Sequence, residues 1–337
     1  MRVCDWISEI LYEKYSVQYI HGLMGGGASG LNDGFIKHGK LKYICYHNEQ
    51  GAGHSAIGEA KYNRKLSVVN PTTGCGGTNC MTSVLDAWQD SVPILFLSGN
   101  VRLNSCSQWV NSNRKISIRK YGVQEHNIIG TVKSITKYSK FITSVEEVAY
   151  ELERAIYLAT EGRCGPVWID IPSDIQTAEM PNQITRFHPN ECKFKFNQKE
   201  QICGFISEAE RPIILAGYGI RQSNCVSSFV KFIEKYQIPY VSTYGARDYL
   251  PESHPLNVGA VGIKGSRAGN FAMQNADLLL ILGSSLGATV IGYDPNQFNP
   301  NSKKIMVDID KDEMDKEIVH IDHKVHSDLK SFFEVMS

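Results

Sequence analysis

Residues 43–65 read YICYHNEQGAGHSAIGEAKYNRK, and the fold turns on how this stretch is read. An apolar strand pattern runs into Glu49, and a helix pattern rich in Gly and Ala follows at once. Strand, polar turn, helix is half of a βαβ unit, which builds parallel sheets. The alternation extends outward in both directions. Strand patterns lie near 17–20, 41–46, 66–70, 93–98 and 166–170, with helix patterns near 4–15, 29–38, 50–64, 78–90 and 144–161. SVVN, VPILFLS and PVWIDI are short, nearly continuous apolar runs, as expected of strands covered on both faces. The helix near 144–161 opens on Ser144 with Glu147 three residues later, a capping-box spacing, and closes at Gly162.

Residues 176–197 lose the periodicity and carry Pro181 and Pro189, which marks an expected linker. A second alternating block follows. PIILAGYGI, IPYVST, DLLLILGS and KKIMVDID read as strands, with helices at 222–236, at 267–275 and from about 326. The expectation is an α/β chain of two doubly wound domains with parallel sheets, 1–175 and 198–337.

Thirty-five Lys and Arg balance thirty-five Asp and Glu, so no basic surplus points to nucleic acid or an anionic membrane. No run of 18 uncharged apolar residues predicts a membrane span. Asp5, Glu9 and Glu13 in the amphipathic N-terminal helix pattern exclude a signal-peptide apolar region. Nine scattered cysteines without a CxxC pair read as reduced thiols, hence a cytoplasmic location with no zinc site.

Glycine clusters follow several strands: 22–30, 71–79, 217–219, 259–265 and 282–287. Each suits a tight turn, and together they mark the strand ends where open parallel sheets bind ligands. GYGIRQS lacks the third glycine of the dinucleotide fingerprint, which argues against a hydride-transfer dehydrogenase. Glu49 has two readings. It could simply favour the positive end of the following helix. Alternatively, Gly51, Gly53 and Gly58 lower that helix's propensity so that a backbone or ligand can come close. In that setting a carboxyl group is pulled out of water and is fit to hold or share a proton.

The segments NEQGAGHSAIGEA, VVNPTTGCGGTNCMTSVLDAWQDSVPILFLSGNV, YGVQEHNIIGTVKSITKY and GPVWIDIPSDIQ resemble the pyrimidine-binding domain of thiamine-diphosphate enzymes of the acetolactate synthase type. ERPIILAGYGI, PYVSTYGARDYLPESHP, NFAMQNADLLLILGSSL and KKIMVDIDKDEM resemble the central, Rossmann-like domain of the same family, so the likeness covers essentially the whole chain. GVQE and GPVWIDIP are equally similar to the family's homologues in surface-polysaccharide synthesis. The resemblance implies a cofactor, thiamine diphosphate with Mg²⁺, and a 2-keto acid substrate such as pyruvate. It makes Glu49 the proton relay to N1′ of the aminopyrimidine. It places Gly74, Gly76, Thr78 and Asn79 against that ring, and Gly25, Gly26 and Gln124 on the substrate side.

Departures accompany the likeness. Asn48 stands where the family usually has His, Cys75 where it has Pro, and Val123 where acetolactate synthases carry Phe. GSSLGATVIGY lacks the Arg and Asp of their flavin segment, which weighs against FAD and leaves Gly217, Gly219, Gly262, Gly283 and Ser284 as a candidate nucleotide or flavin site. No Gly-Asp-Gly, the family's Mg²⁺ and diphosphate motif, occurs in the sequence, and these residues supply no metal site of their own. Three expectations stay open: a truncated enzyme, a split enzyme, or a non-catalytic nucleotide- or partner-binding module. In the first two, a second copy of the chain or a separate diphosphate-binding chain completes the site.

Overall fold

The computed structural model describes residues 1–189 and 194–337. The chain divides into two units, 1–190 and 191–337.

Unit 1 is a six-stranded sheet: β1 (Tyr19–Gly22), β2 (Lys42–Cys45), β3 (Ser67–Asn70), β4 (Ile94–Asn100), β5 (Tyr138–Phe141) and β6 (Val167–Pro172). The spatial order is β2-β1-β3-β4-β6-β5, with every pairing parallel. Its helices are α1 (Val3–Glu13), α2 (Ser29–His38), α3 (Glu49–Asn63), α4 (Cys75–Asn79), α5 (Met81–Gln89), α6 (Ser107–Arg114), α7 (Ile128–Val132), α8 (Val148–Thr160) and α9 (Ser173–Thr177). Strand alternation sorts the core. Leu95, Leu97, Val167 and Ile169 pack with residues of α1, α2 and α8, while Ile94, Phe96 and Trp168 pack with residues of α3, α5 and α7. Phe96 and Trp168 stack at 4.9 Å.

Unit 2 contains β7 (Pro212–Ala216), β8 (Tyr240–Ser242), β9 (Asn257–Ala260), β10 (Leu278–Leu282), β11 (Lys303–Asp308) and β12 (His323–His326). The order is β12-β11-β10-β7-β8-β9, again all parallel. Its helices are α10 (Lys199–Glu208), α11 (Gly219–Gln222), α12 (Val226–Tyr236), α13 (Arg267–Asn275), α14 (Ala288–Ile291), α15 (Lys311–Asp315) and α16 (Leu329–Met336). Phe229, Phe232, Phe332 and Phe333 fill one face of this sheet. The two-sheet α/β architecture read from the sequence is the one observed.

The differences have physical causes. Three strands escaped the pattern: β5, β9 and β12. All lie at sheet edges, and their burial is partial or alternating, so no continuous apolar run announces them. The helix expected at 78–90 is two helices, α4 and α5, which meet at Cys80. The helix expected from Ser144 begins at Val148, because the Glu147 carboxylate accepts from Thr143 N at 2.5 Å and Ser144 N at 3.3 Å and so closes a turn ahead of it.

The stretch 176–197 starts inside unit 1. Gln176 is fully buried, Met180 N donates to Met1 O, and Arg186 pairs with Glu153 at 2.7 Å. Residues 190–193 of the expected linker lie outside the described residues. No helix among the described residues is long and apolar enough to cross a membrane.

Candidate functional site

In unit 1 the chain leaves β1 toward β2 on one side and β3 toward β4 on the other, which opens a switch point at the C-terminal ends of β1 and β3. Three segments meet there: the turn after β1, the start of α3 after β2, and the loop from β3 into α4.

Glu49 is the first residue of α3, and its carboxylate is buried at 8% exposure. The capping task falls to its neighbour. Asn48 is the N-cap, and its side-chain oxygen accepts from Gly51 N at 2.8 Å. The Glu49 carboxylate turns instead to α4, where Asn79 Nδ2 donates to Oε2 at 2.8 Å. The other oxygen faces Gly76. A methyl group on Gly76 would stand 3.0 Å from Oε1 and 2.7 Å from Thr72 Cγ2, so only glycine leaves that oxygen clear. Glu49, Cys75, Gly76, Thr78 and Asn79 line an open recess of about 490 Å³.

The other expected residues converge on the same place. Gly74 has φ +59°, and a Cβ on it would lie 1.6 Å from the Gln124 carbonyl oxygen. Gln124 is exposed and itself left-handed at φ +55°. Gly25 lies against Thr72, where a Cβ would meet Thr72 Oγ1 at 2.5 Å, while Gly26 faces open space. Thr78 Oγ1 donates to Cys75 O at 3.1 Å and ties the α4 turn to itself. Thr72 Oγ1, between the turns, is buried with no hydrogen-bond partner among the described residues. A recess with one clear carboxylate oxygen, an amide, a hydroxyl, a thiol and a glycine floor suits a flat heteroaromatic ring carrying ring nitrogens and an amino group.

The small residues of α3 divide by direction. Gly53 touches α5 of the same unit, since a Cβ there would lie 1.9 Å from Ser83 Oγ. Gly51 and Gly58 are exposed, and a Cβ at Gly58 meets nothing within 4 Å.

Residues beneath the loops were not singled out by sequence. Gln176 Nε2 donates to Gly27 O and Ile171 O, both at 2.7 Å, and its Oε1 accepts from Leu31 N, which pins the turn after β1. Thr73 Oγ1 donates to Asn100 Oδ1 at 2.9 Å, and Asn100 Nδ2 donates to Asp170 Oδ2 at 2.7 Å. Ser98 Oγ donates to Asp170 Oδ1 at 2.6 Å and accepts from Trp168 Nε1. Burial pushes the Asp170 carboxyl up to about 6, against the pull of these two hydrogen bonds. The only hint in the sequence was an acid inside the apolar run VWIDIP.

In unit 2 the strand ends at the equivalent switch point, between β7 and β10, press on each other. A Cβ on Gly217 would lie 2.0 Å from Gly283 O, and Gly219 N donates to that same oxygen at 3.0 Å. Gly262, at φ +89°, faces Thr289 O, and Ser284 is buried. Backbone meets backbone at each of these glycines. Among the described residues no group of three or more His, Cys, Asp or Glu side chains could hold a metal ion.

Family models agree with this architecture. Residues 1–128 match the N-terminal TPP binding domain of thiamine pyrophosphate enzymes, and residues 200–336 match their central domain. The chain belongs to the thiamine pyrophosphate enzyme family. Within it, the chain is similar to acetolactate synthase large subunits. It is 36% identical over 325 residues to that of Lactococcus lactis, covering 95% of this chain and 54% of the relative. It is 32% identical over 307 residues to the isozyme 1 large subunit of Escherichia coli, covering 90% and 52%. A probable large subunit of Methanocaldococcus jannaschii is 32% identical over 321 residues, covering 91% and 51%. The chain thus spans about half the length of the curated relatives it matches.

Proposed function

We propose that the chain is the glutamate-bearing part of a cytoplasmic thiamine-diphosphate-dependent carboligase or decarboxylase acting on pyruvate-like 2-keto acids. The observation that supports it is the divided Glu49 carboxylate, with Oε2 held by Asn79 and Oε1 left clear above Gly76. When bound, thiamine diphosphate supplies a carbon nucleophile for a keto-acid carbonyl.

The chain's own residues have simpler work. Glu49 Oε1 gives a proton to a ring nitrogen and takes it back. Asn79 keeps the carboxylate from swinging away, and the flat glycine loop at 74–76 lets an aromatic ring lie close. Gln124, with Gly25 and Gly26, borders the side on which a keto acid enters. In this reading magnesium and the diphosphate would be held across from Glu49, by a second subunit or by a separate diphosphate-binding chain.

The test is Glu49→Gln in the assembled enzyme. The exchange rate of the cofactor's C2 proton, followed by NMR, falls roughly 10²–10⁴-fold while circular dichroism is unchanged. An unchanged rate sinks the assignment. Residues 1–337 alone should show no tight uptake of thiamine diphosphate with Mg²⁺ in a calorimeter, and micromolar affinity would overturn the division of the site.

A further inference from the structure

Charge is spread unevenly over unit 1. Residues 91–124 contain no Asp or Glu, yet carry Arg102, Arg114, Lys115, Arg119 and Lys120. All five are exposed, and none has an ion-pair partner among the described residues. Several other cations of the unit are paired: Lys14 and Arg186 with Glu153, Lys40 with Glu13, Lys61 with Asp90, Lys140 with Glu147. Four unpaired like charges within seven residues repel one another, and no carboxylate among the described residues pairs with them.

The loop that carries them is nonetheless fixed. Asn111 closes it with a reciprocal pair, Nδ2 donating to Ile118 O at 3.0 Å and Oδ1 accepting from Ile118 N at 2.9 Å. The nearest acid downstream, Glu125, is buried and bonded to neutral donors, Tyr121 N at 2.7 Å and Ser107 Oγ at 2.9 Å. The chain then runs from Lys120 through exposed Tyr121 and Val123 to Gln124, whose carbonyl lies on Gly74 at the recess. Gln124 lies four positions after Lys120, a span of at most roughly 14 Å.

We infer that the 114–120 loop is a docking site for the phosphate groups of an anionic substrate, held so that its uncharged part reaches the Gln124 edge of the Glu49 recess across Tyr121 and Val123. Guanidinium and ammonium groups on a fixed loop match phosphate oxygens. A small ligand fits better than a nucleic acid, because the chain's overall charge is zero and the cations form one short patch beside a recess. The inference rests on reading the recess as the cofactor's site, and the experiment keeps the two separable.

Inorganic pyrophosphate is titrated into the ¹⁵N-labelled chain at low ionic strength. Amides of 111–124 shift, the affinity falls with added salt, and the exposed variant Arg114→Ser/Lys115→Ser/Arg119→Ser/Lys120→Ser binds at least tenfold more weakly. Glu49→Gln binds pyrophosphate as the native chain does, so this result stands apart from the cofactor assignment. No shift in the loop, or equal binding by the fourfold variant, overturns the proposal. A short DNA duplex binding more than tenfold tighter than pyrophosphate also overturns it. So does thiamine diphosphate moving the loop and Gly76 together while Glu49→Gln weakens both, since the loop would then hold the cofactor's own diphosphate.

Discussion

The two units present the same sequence signal and resolve it differently. Each places glycine clusters after parallel strands at a switch point. In unit 1 the glycines face functional groups: Gly76 clears a path to Glu49 Oε1, and Gly74 admits the Gln124 backbone beside the recess. In unit 2, Gly217, Gly219 and Gly283 are taken up by each other. A glycine-rich strand end therefore means close approach, and the neighbour decides whether it means a ligand.

Gly74→Ala and Gly217→Ala set that contrast against itself with the largest expected effects. Each forces a Cβ onto a carbonyl oxygen, at 1.6 and 2.0 Å, and should cost about 2–4 kcal/mol in urea denaturation. Gly74→Ala also shifts Gln124 and α4, so in the assembled enzyme cofactor affinity falls with stability. Gly217→Ala lowers stability alone. If Gly217→Ala weakens cofactor affinity as strongly, the contrast between the units fails.

Asp170 offers a sharper probe of the floor of unit 1. Its folded value of about 6 lies above the ordinary 3.8, so the folded state binds this proton more tightly than the unfolded state does. That contribution is full below pH about 4 and is lost as pH rises through about 6. From pH 4 to 7 the native chain should lose on the order of 2–3 kcal/mol relative to Asp170→Asn, read from urea midpoints at each pH. A pH-independent difference between the two would show that burial does not perturb Asp170.

The smallest effects concern exposed helices. Gly58 in α3 and Gly204 in α10 both face open space. Alanine at either should raise the thermal midpoint, gaining about 0.5–1 kcal/mol. If Gly58→Ala stabilises the chain alone but weakens the assembled enzyme, α3 packs against a partner there. An equal gain in both settings removes that reason for the glycine.

Much of this was legible beforehand, for identifiable reasons. α2 and α13 span the expected residues because their periodicity is local. Glu49, Gly76 and Asn79 could be picked out because a compact motif carries them. Gln176 could not, since it holds Gly27 from 149 positions away, and its own surroundings read as linker. Edge strands β5, β9 and β12 were invisible because an edge needs no apolar run. The acid-free span around 114–120 was present in the sequence, but whether its cations were paired could not be read there.

The sequence by itself determined two parallel α/β units and the family, since strand–helix alternation and short motifs are encoded by neighbouring residues. It also brought Glu49 forward. Only the tertiary structure decided that Asn48 caps the helix while Asn79 holds the Glu49 carboxylate. It likewise decided that Asp170 and Gln176 support the loops, and that Gly217, Gly219 and Gly283 pack on one another. Those choices rest on hydrogen bonds and close approaches between segments distant in sequence, which no local pattern records.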